Sequence, residues 1–127
     1  MLAPSQFIKN ATVKTGTKEA VDFAVRFPGE HGETLLPIDA KFPREDWERL
    51  QAAYEMNDKK AVDSAGKALE SAIRTQAKSI CDKYINPPRT TRHAIMFFPS
   101  EGLYAEVARR TALQTEIQSK YQVIIAG

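Results

Sequence analysis

Residues 20–27, AVDFAVRF, alternate strictly between apolar and polar or small positions. Val21, Phe23, Val25 and Phe27 share one face and Asp22, Ala24 and Arg26 the other, the period-two pattern of a strand. Pro28-Gly29-Glu30-His31-Gly32-Glu33 then reads as a turn. Residues 34–42 form the next strand, apolar at Leu36, Ile38, Ala40 and Phe42 and ended by Pro43. Upstream, residues 11–16 (ATVKTG) read as a short edge strand, and residues 1–9 are too few for a helix of their own. Downstream the period changes. Residues 44–55 place Trp47, Leu50 and Tyr54 at helical spacing, and Met56-Asn57-Asp58 makes a break. Residues 59–84 form the longest helical pattern, with Val62, Ala65, Leu69, Ile73, Ala77, Ile80 and Tyr84 in one stripe. Asn86-Pro87-Pro88 stops it. HAIMFFP, residues 93–99, is a short apolar run that fits a strand buried on both faces. Ser100 reads as the N-cap of one further helix carrying Leu103, Val107 and Leu113. YQVIIAG, residues 121–127, is the closing strand. The order β-β-β-α-α-β-α-β predicts an α/β (α+β) fold, a three-strand meander followed by strands joined through helices.

Length and charge narrow this further. A chain of 127 residues suits one domain and one core, here 1–127, and a final strand two residues from the end suggests a domain trimmed at both ends. The net charge of +2 excludes a histone-like polycation, so any nucleic-acid reading must rest on where the charges cluster. A single cysteine, Cys81, excludes an intrachain disulfide and favours a reducing, cytoplasmic setting. No run approaches the roughly 18 apolar residues of a membrane helix, so no membrane contact is expected from this chain. The first residues lack the layout of a signal peptide.

The charges in LLPIDAKFP, residues 35–43, are the main chemical signal. Asp39 and Lys41 are two apart and therefore point the same way. If the two central strands pair with Phe27 opposite Thr34, the same antiparallel register brings Asp22 opposite Asp39. Directly opposed residues have Cβ atoms about 4.5–5.5 Å apart, and two carboxylates that close repel unless a cation lies between them. Two carboxylates can hold Mg2+ through oxygen while leaving positions for water and phosphate, and such a metal acidifies its bound water and offsets charge on a phosphodiester. A lysine two residues beyond the second acid reaches the same water or a phosphate oxygen. The competing account is a surface patch of Asp22, Arg26, Asp39 and Lys41 with little energetic consequence. Asp-x-Lys is by itself an unspecific pattern.

VDFAVRFPG, LPIDAKFP, DWERL, YINPPRTTRHAIMFFPSEGLYAEV and YQVIIAG together resemble the RmuC family of bacterial DNA recombination proteins, over essentially the whole chain. That resemblance implies a restriction-endonuclease-like core of the PD-(D/E)xK class, a central mixed sheet of about five strands flanked by helices. It implies catalytic roles for Asp22, Asp39 and Lys41, and Mg2+ or Mn2+ held by Asp22, Asp39 and the carbonyl of Ala40. It implies DNA as partner, no small-molecule cofactor, and oligomerisation through a coiled coil that this chain lacks. Full-length members of the family are described with a membrane anchor as well, which is also absent here, as is a helix that normally precedes LAPSQF. The implied function is a Mg2+-dependent DNA endonuclease or phosphodiesterase that limits or processes DNA rearrangements. The alternative is a non-catalytic DNA-binding or scaffold module that keeps the nuclease fold.

Candidate DNA contacts lie in two places. Lys60, Lys67, Arg74 and Lys78 fall within roughly 40° of one another at 100° per residue, with Asp63 and Glu70 at the stripe's edge. A phosphate-facing row competes there with a solvated helix face of i,i+4 pairs. Arg89 and Arg92 lie in a loop, PPRTTRH, that contains no acid and suits phosphate contact. Nucleases of this class often draw a polar group from the helix after the lysine strand, which singles out Gln76 or Lys78. Glu101, at a helix start, is satisfied by the helix dipole, yet its place after the HAIMFFP strand makes it a further candidate. His31 sits in a turn facing water. Trp47 and Tyr104 are assigned to the core or an interface, and Cys81 to a buried position.

Overall fold

A computed structural model describes residues 4–13, 20–29 and 32–127. His31 and residues 14–16 of the expected edge strand lie outside the described residues. A short 3-10 turn, Pro4–Gln6, leads into β1 (Phe7–Thr12), β2 (Ala20–Gly29) and β3 (Gly32–Ala40). Next come helices α1 (Arg44–Glu55) and α2 (Lys59–Tyr84), strand β4 (Ala94–Phe97), helices α3 (Glu101–Ala108) and α4 (Thr111–Tyr121), and strand β5 (Val123–Ala126). Three of the four helix starts have a local cause. Glu45 and Asp46 sit in the first turn of α1, where acids meet the positive end of the helix dipole. The Asp58 carboxylate accepts from the N–H groups of Lys60 and Ala61 at 3.1 and 3.2 Å, and Ser100 Oγ accepts from Leu103 N–H at 3.2 Å.

The five strands form one mixed sheet in chain order, antiparallel from β1 to β3 and parallel from β3 to β5. Phe27 stands opposite Thr34 and Phe23 opposite Ile38, the register expected from the sequence. Both crossovers, β3 to β4 and β4 to β5, step the same way across the sheet. Right-handed connections therefore lay both helix pairs on one face. Burial agrees: Ala94, Met96, Phe98 and Val123 pack with Leu69, Ile73, Leu103 and Ile117 in the main core. Phe23, Phe27, Phe97 and Ile124, on the other face, remain 36–44% exposed. No helix among the described residues is long and apolar enough to cross a membrane.

Four expectations change. HAIMFFP is not buried on both faces: Ala94, Met96 and Phe98 enter the core, but Ile95 is half-buried and Phe97 is 36% exposed because all four helices lie on the other side. The apolar face of β2 does not uniformly enter the core: Phe23 and Phe27 are open, while Ala24 is fully buried on the helix side. Val21 is also fully buried, three residues from Ala24, so the strand must bend between them. The bend falls at Asp22, which pairs with neither flanking strand, opposite Asn10 with its left-handed φ of 51°. Val21 joins Ala11, Val13, Ala24 and Leu35 in a second, smaller core. The single helix expected after Ser100 is two helices. Nothing in AEVARRTAL marks a stop, but the Gln114 amide reaches back to the carbonyls of Val107 and Ala108 at 3.4 and 2.7 Å and satisfies the end of α3. Tyr121 belongs to α4 rather than the last strand, because Gln122 takes the left-handed conformation that ends the helix (φ 55°). Glycine is the usual occupant of such a position, so the stop was hidden.

Candidate functional site

The bend at Asp22 builds the site. A continuous ladder would pair the Ala40 N–H with a backbone carbonyl of β2. Instead the regular pairing ends at Phe23–Ile38, and Ala40 N–H donates to Asp22 Oδ2 at 2.8 Å. On its other side β3 continues its parallel pairing, with Lys41 N–H donating to the Phe97 carbonyl at 2.9 Å. Residues 39–41 are thus held between a carboxylate and a carbonyl at the carboxyl ends of β3 and β4, the usual position for a ligand crevice in sheets with parallel strands.

Asp39 is 4% exposed and stands beside Met96 on the helix-covered face. Lys41 Nζ lies 3.0 Å from Asp39 Oδ2, with its own side chain 33% exposed. The amine is the ion-pair partner of that buried oxygen, which has no further donor among the described residues. Burial raises the Asp39 carboxyl above the ordinary aspartate value; Lys41 pulls it back down, and the neighbouring Asp22 carboxylate pushes it up again. Asp22, Asp39 and Lys41 therefore lie near one another, but not through the expected direct pairing of Asp22 with Asp39: that pair is absent and Asp22 reaches Ala40 N–H instead. Among the described residues no cluster of three or more His, Cys, Asp or Glu side chains is arranged to hold a metal. A cation here would take two carboxylates, the Ala40 carbonyl and water. That donor set suits Mg2+, which commonly keeps several waters and binds through one or two carboxylates, and the buried Asp39 oxygen, paired with Lys41 alone among the described residues, fits it.

The other candidates are scattered. Gln76 is partly buried on α2, with its Oε1 enclosed and unpartnered. Arg74 donates to Glu116 at 2.9 Å and Glu70 at 3.3 Å, and those acids, Glu116 first, raise its pKa. Lys78 is exposed and pairs with Asp82 at 2.8 Å. Arg89 donates to the Thr12 carbonyl at 3.2 Å, and its own carbonyl accepts from Leu35 N–H. Leu35 precedes Asp39 by four residues, about 13 Å along a strand, so the Arg89 backbone docks near the opposite end of β3. Arg92 is exposed in the same loop, before β4. Glu101 is exposed and opens α3 directly after β4, at the Asp39 end. Trp47 and Tyr104 pack partly buried against the main core, and Cys81 is half-buried.

The sequence reading missed a buried acid. Glu106 is 5% exposed, and it accepts from Tyr54 Oη at 3.0 Å, Arg109 at 2.6 Å and Arg110 at 3.0 Å. Arg110 continues to Glu70 at 2.8 Å, so one ion-pair chain ties α3 to α2 and reaches α4 through Arg74. The available signal was EVARR, an acid followed three and four residues later by arginine.

A mixed α/β domain with paired carboxylates and a lysine at the carboxyl edge of its parallel strands defines the class. The chain belongs to the RmuC family, whose model matches residues 1–127. Two curated relatives, each described as a DNA recombination protein RmuC homolog, come from Xylella fastidiosa strains Temecula1 / ATCC 700964 and 9a5c. Each is 49% identical over 129 residues. The match covers 99% of this chain but only 28% of those relatives' length. No solved structure matches the chain.

Proposed function

We propose that this domain is a metal-dependent DNA phosphodiesterase of restriction-endonuclease type, acting on DNA in the cytoplasm as part of a recombination protein. The carrying observation is the buried Asp39 carboxylate, held beside a second carboxylate and a lysine at the carboxyl end of the central strand β3. Burying an acid is unfavourable unless it is compensated, and here the Lys41 amine compensates only in part. Asp22, Asp39 and the Ala40 carbonyl would hold Mg2+ or Mn2+. When bound, that ion would acidify a water and offset charge on the phosphate. Lys41, partly open to solvent, would donate to a nonbridging phosphate oxygen and orient the attacking water. Gln76 is the candidate for a further polar group. Tyr84 packs against the small core that includes Leu35, and Gln76 is eight residues before Tyr84, about 12 Å along a helix. The rise from Leu35 to Asp39 is about 13 Å, which puts the two buried oxygens at a similar level if α2 runs antiparallel to β3.

The test is cleavage of labelled single-stranded and duplex DNA in Mn2+, together with calorimetric Mn2+ titration. Asp39→Ala should abolish cleavage with the melting transition retained, and Asp22→Asn should abolish the heat of cation binding. Cleavage that survives Asp39→Ala in purified protein removes the assignment. Salt-dependent DNA binding without cleavage would leave the non-catalytic module in its place.

A further inference from the structure

Lys41 holds a place that a divalent cation would need. Its amine lies 3.0 Å from Asp39 Oδ2, the buried oxygen that has no further donor among the described residues. The second acid, Asp22, spends its Oδ2 on the Ala40 N–H at 2.8 Å. No other cation pairs with either acid among the described residues. The site thus sets two carboxylates against one amine, and that amine is the only positive partner Asp39 has there.

A divalent ion reverses this balance. Two positive groups on one oxygen repel each other, most strongly where burial keeps water from screening them. An ion of charge two also matches both carboxylates by itself, which leaves the lysine charge in excess. The two side chains differ in their freedom to respond. Asp39 is 4% exposed and enclosed by its neighbours. The Lys41 backbone is fixed as well, its N–H donating to the Phe97 carbonyl at 2.9 Å. Its side chain, however, is 33% exposed and carries the amine on a flexible four-carbon stem. The amine can therefore leave Asp39 for the solvent side without disturbing the strand end or the core.

We propose that Lys41 is a built-in counter-ion that exchanges with the cation: it pairs with Asp39 in the metal-free protein and turns outward when Asp39 and Asp22 take a divalent ion. The released amine is then free for a phosphate oxygen, so cation binding precedes the engagement of Lys41 with substrate. The exchange rests on the reading that these two acids take a divalent cation, but not on whether DNA is cut.

Calorimetric Mn2+ titration of the wild type and its variants, without DNA, tests the exchange. Lys41→Met should bind Mn2+ roughly 10- to 100-fold more tightly, the equilibrium equivalent of the one charge-assisted hydrogen bond that the wild type has to break. Lys41→Arg keeps a cation for Asp39 and should bind no more tightly than the wild type. Arg44→Met removes an exposed positive charge that lies at the Phe42 ring rather than at Asp39, and should change the affinity less than about twofold. In EDTA, Lys41→Met should melt below the wild type, and Mn2+ should raise its melting temperature by more. If it has no cooperative melt, Lys41→Gln keeps a donor for Asp39 without the charge and should still bind Mn2+ more tightly than the wild type. Equal Mn2+ affinity in the wild type and Lys41→Met overturns the proposal and leaves the cation site standing. A gain in Arg44→Met as large as that in Lys41→Met also overturns it, since general charge would then account for both. No heat in any of the proteins removes the exchange and the metal reading together. Tighter binding in Lys41→Met, with no cleavage by the wild type, upholds the exchange and loses only the phosphodiesterase.

Discussion

Asp22 does two things that oppose each other, and two substitutions separate them. Its carboxylate accepts from Ala40 N–H at 2.8 Å, and its charge raises the Asp39 carboxyl. Asp22→Ala removes both effects. A hydrogen bond to a charged group contributes about 1.5–3 kcal/mol when well sheltered. This one is exposed, and relief of the carboxylate repulsion offsets part of the loss, leaving about 1 kcal/mol of destabilisation. For a domain of this size that lowers the melting temperature by about 3–5 °C. Asp22→Asn keeps an oxygen for Ala40 N–H and removes only the charge, so it should melt at or above the wild type in EDTA. Adding Mn2+ at a hundred times its dissociation constant contributes about 2.7 kcal/mol to a protein that binds it, roughly 10 °C here. Both variants should lose that rise. The assay is a thermal melt followed by circular dichroism, with and without Mn2+. An Asp22→Asn protein that falls as far as Asp22→Ala refutes the charge half of this reasoning. One that responds to Mn2+ like the wild type refutes the metal half.

The remaining predictions concern stability. The Asp39 carboxyl is raised by burial, so the folded state favours its protonated form. That contribution is fully present below the unfolded value of about 3.9 and is lost as pH rises through the folded value. Asp39→Asn, which cannot ionise, should therefore gain on the wild type as pH rises and converge with it in acid. Urea midpoints measured across that range check this, and a difference independent of pH contradicts it. Glu106→Ala leaves Arg110 with Glu70 as its sole acid partner among the described residues and should cost about 3 kcal/mol, the lower end for breaking a buried pair, read from the same urea curves. Gly66→Ala would place a methyl 3.0 Å from Arg110 Nη2. It should therefore fail to deliver the roughly 1 kcal/mol that alanine normally gains over glycine in a helix. In an Arg110→Ala background the gain should return.

Local patterning made much of this protein legible. The bounds of α1 and α2 follow from periodicity with Pro43, Asp58 and Asn86-Pro87 as punctuation, and the β2–β3 register follows from the turn as far as Phe23–Ile38, though the expected Asp22–Asp39 pair does not form. Features decided by distant contacts were hidden. Phe7 and Ile8 join β1 because β2 is there to pair with them. The split between α3 and α4 depends on the Gln114 side chain and on no breaker residue. Arg74 looked available to phosphate on a helical wheel, yet Glu116, forty-two residues away, occupies its guanidinium. Alternation in β2 identified a strand but could not say which face the helices would cover. That follows from the handedness of two crossovers later in the chain.

The sheet has a seam at β3. On one side lies the small core of Ala11, Val13, Val21, Ala24 and Leu35; on the other lies the main core under four helices. Asp22 belongs to the first half, and the strand end bearing Asp39 faces the second. Any cation shared by these two acids would act as a stitch between a lightly anchored hairpin and a firmly built body. Slower amide exchange in β1 and β2 on adding Mn2+ would register that stitch directly. By the same coupling, a change that loosens the hairpin would weaken cation binding without touching a single ligand.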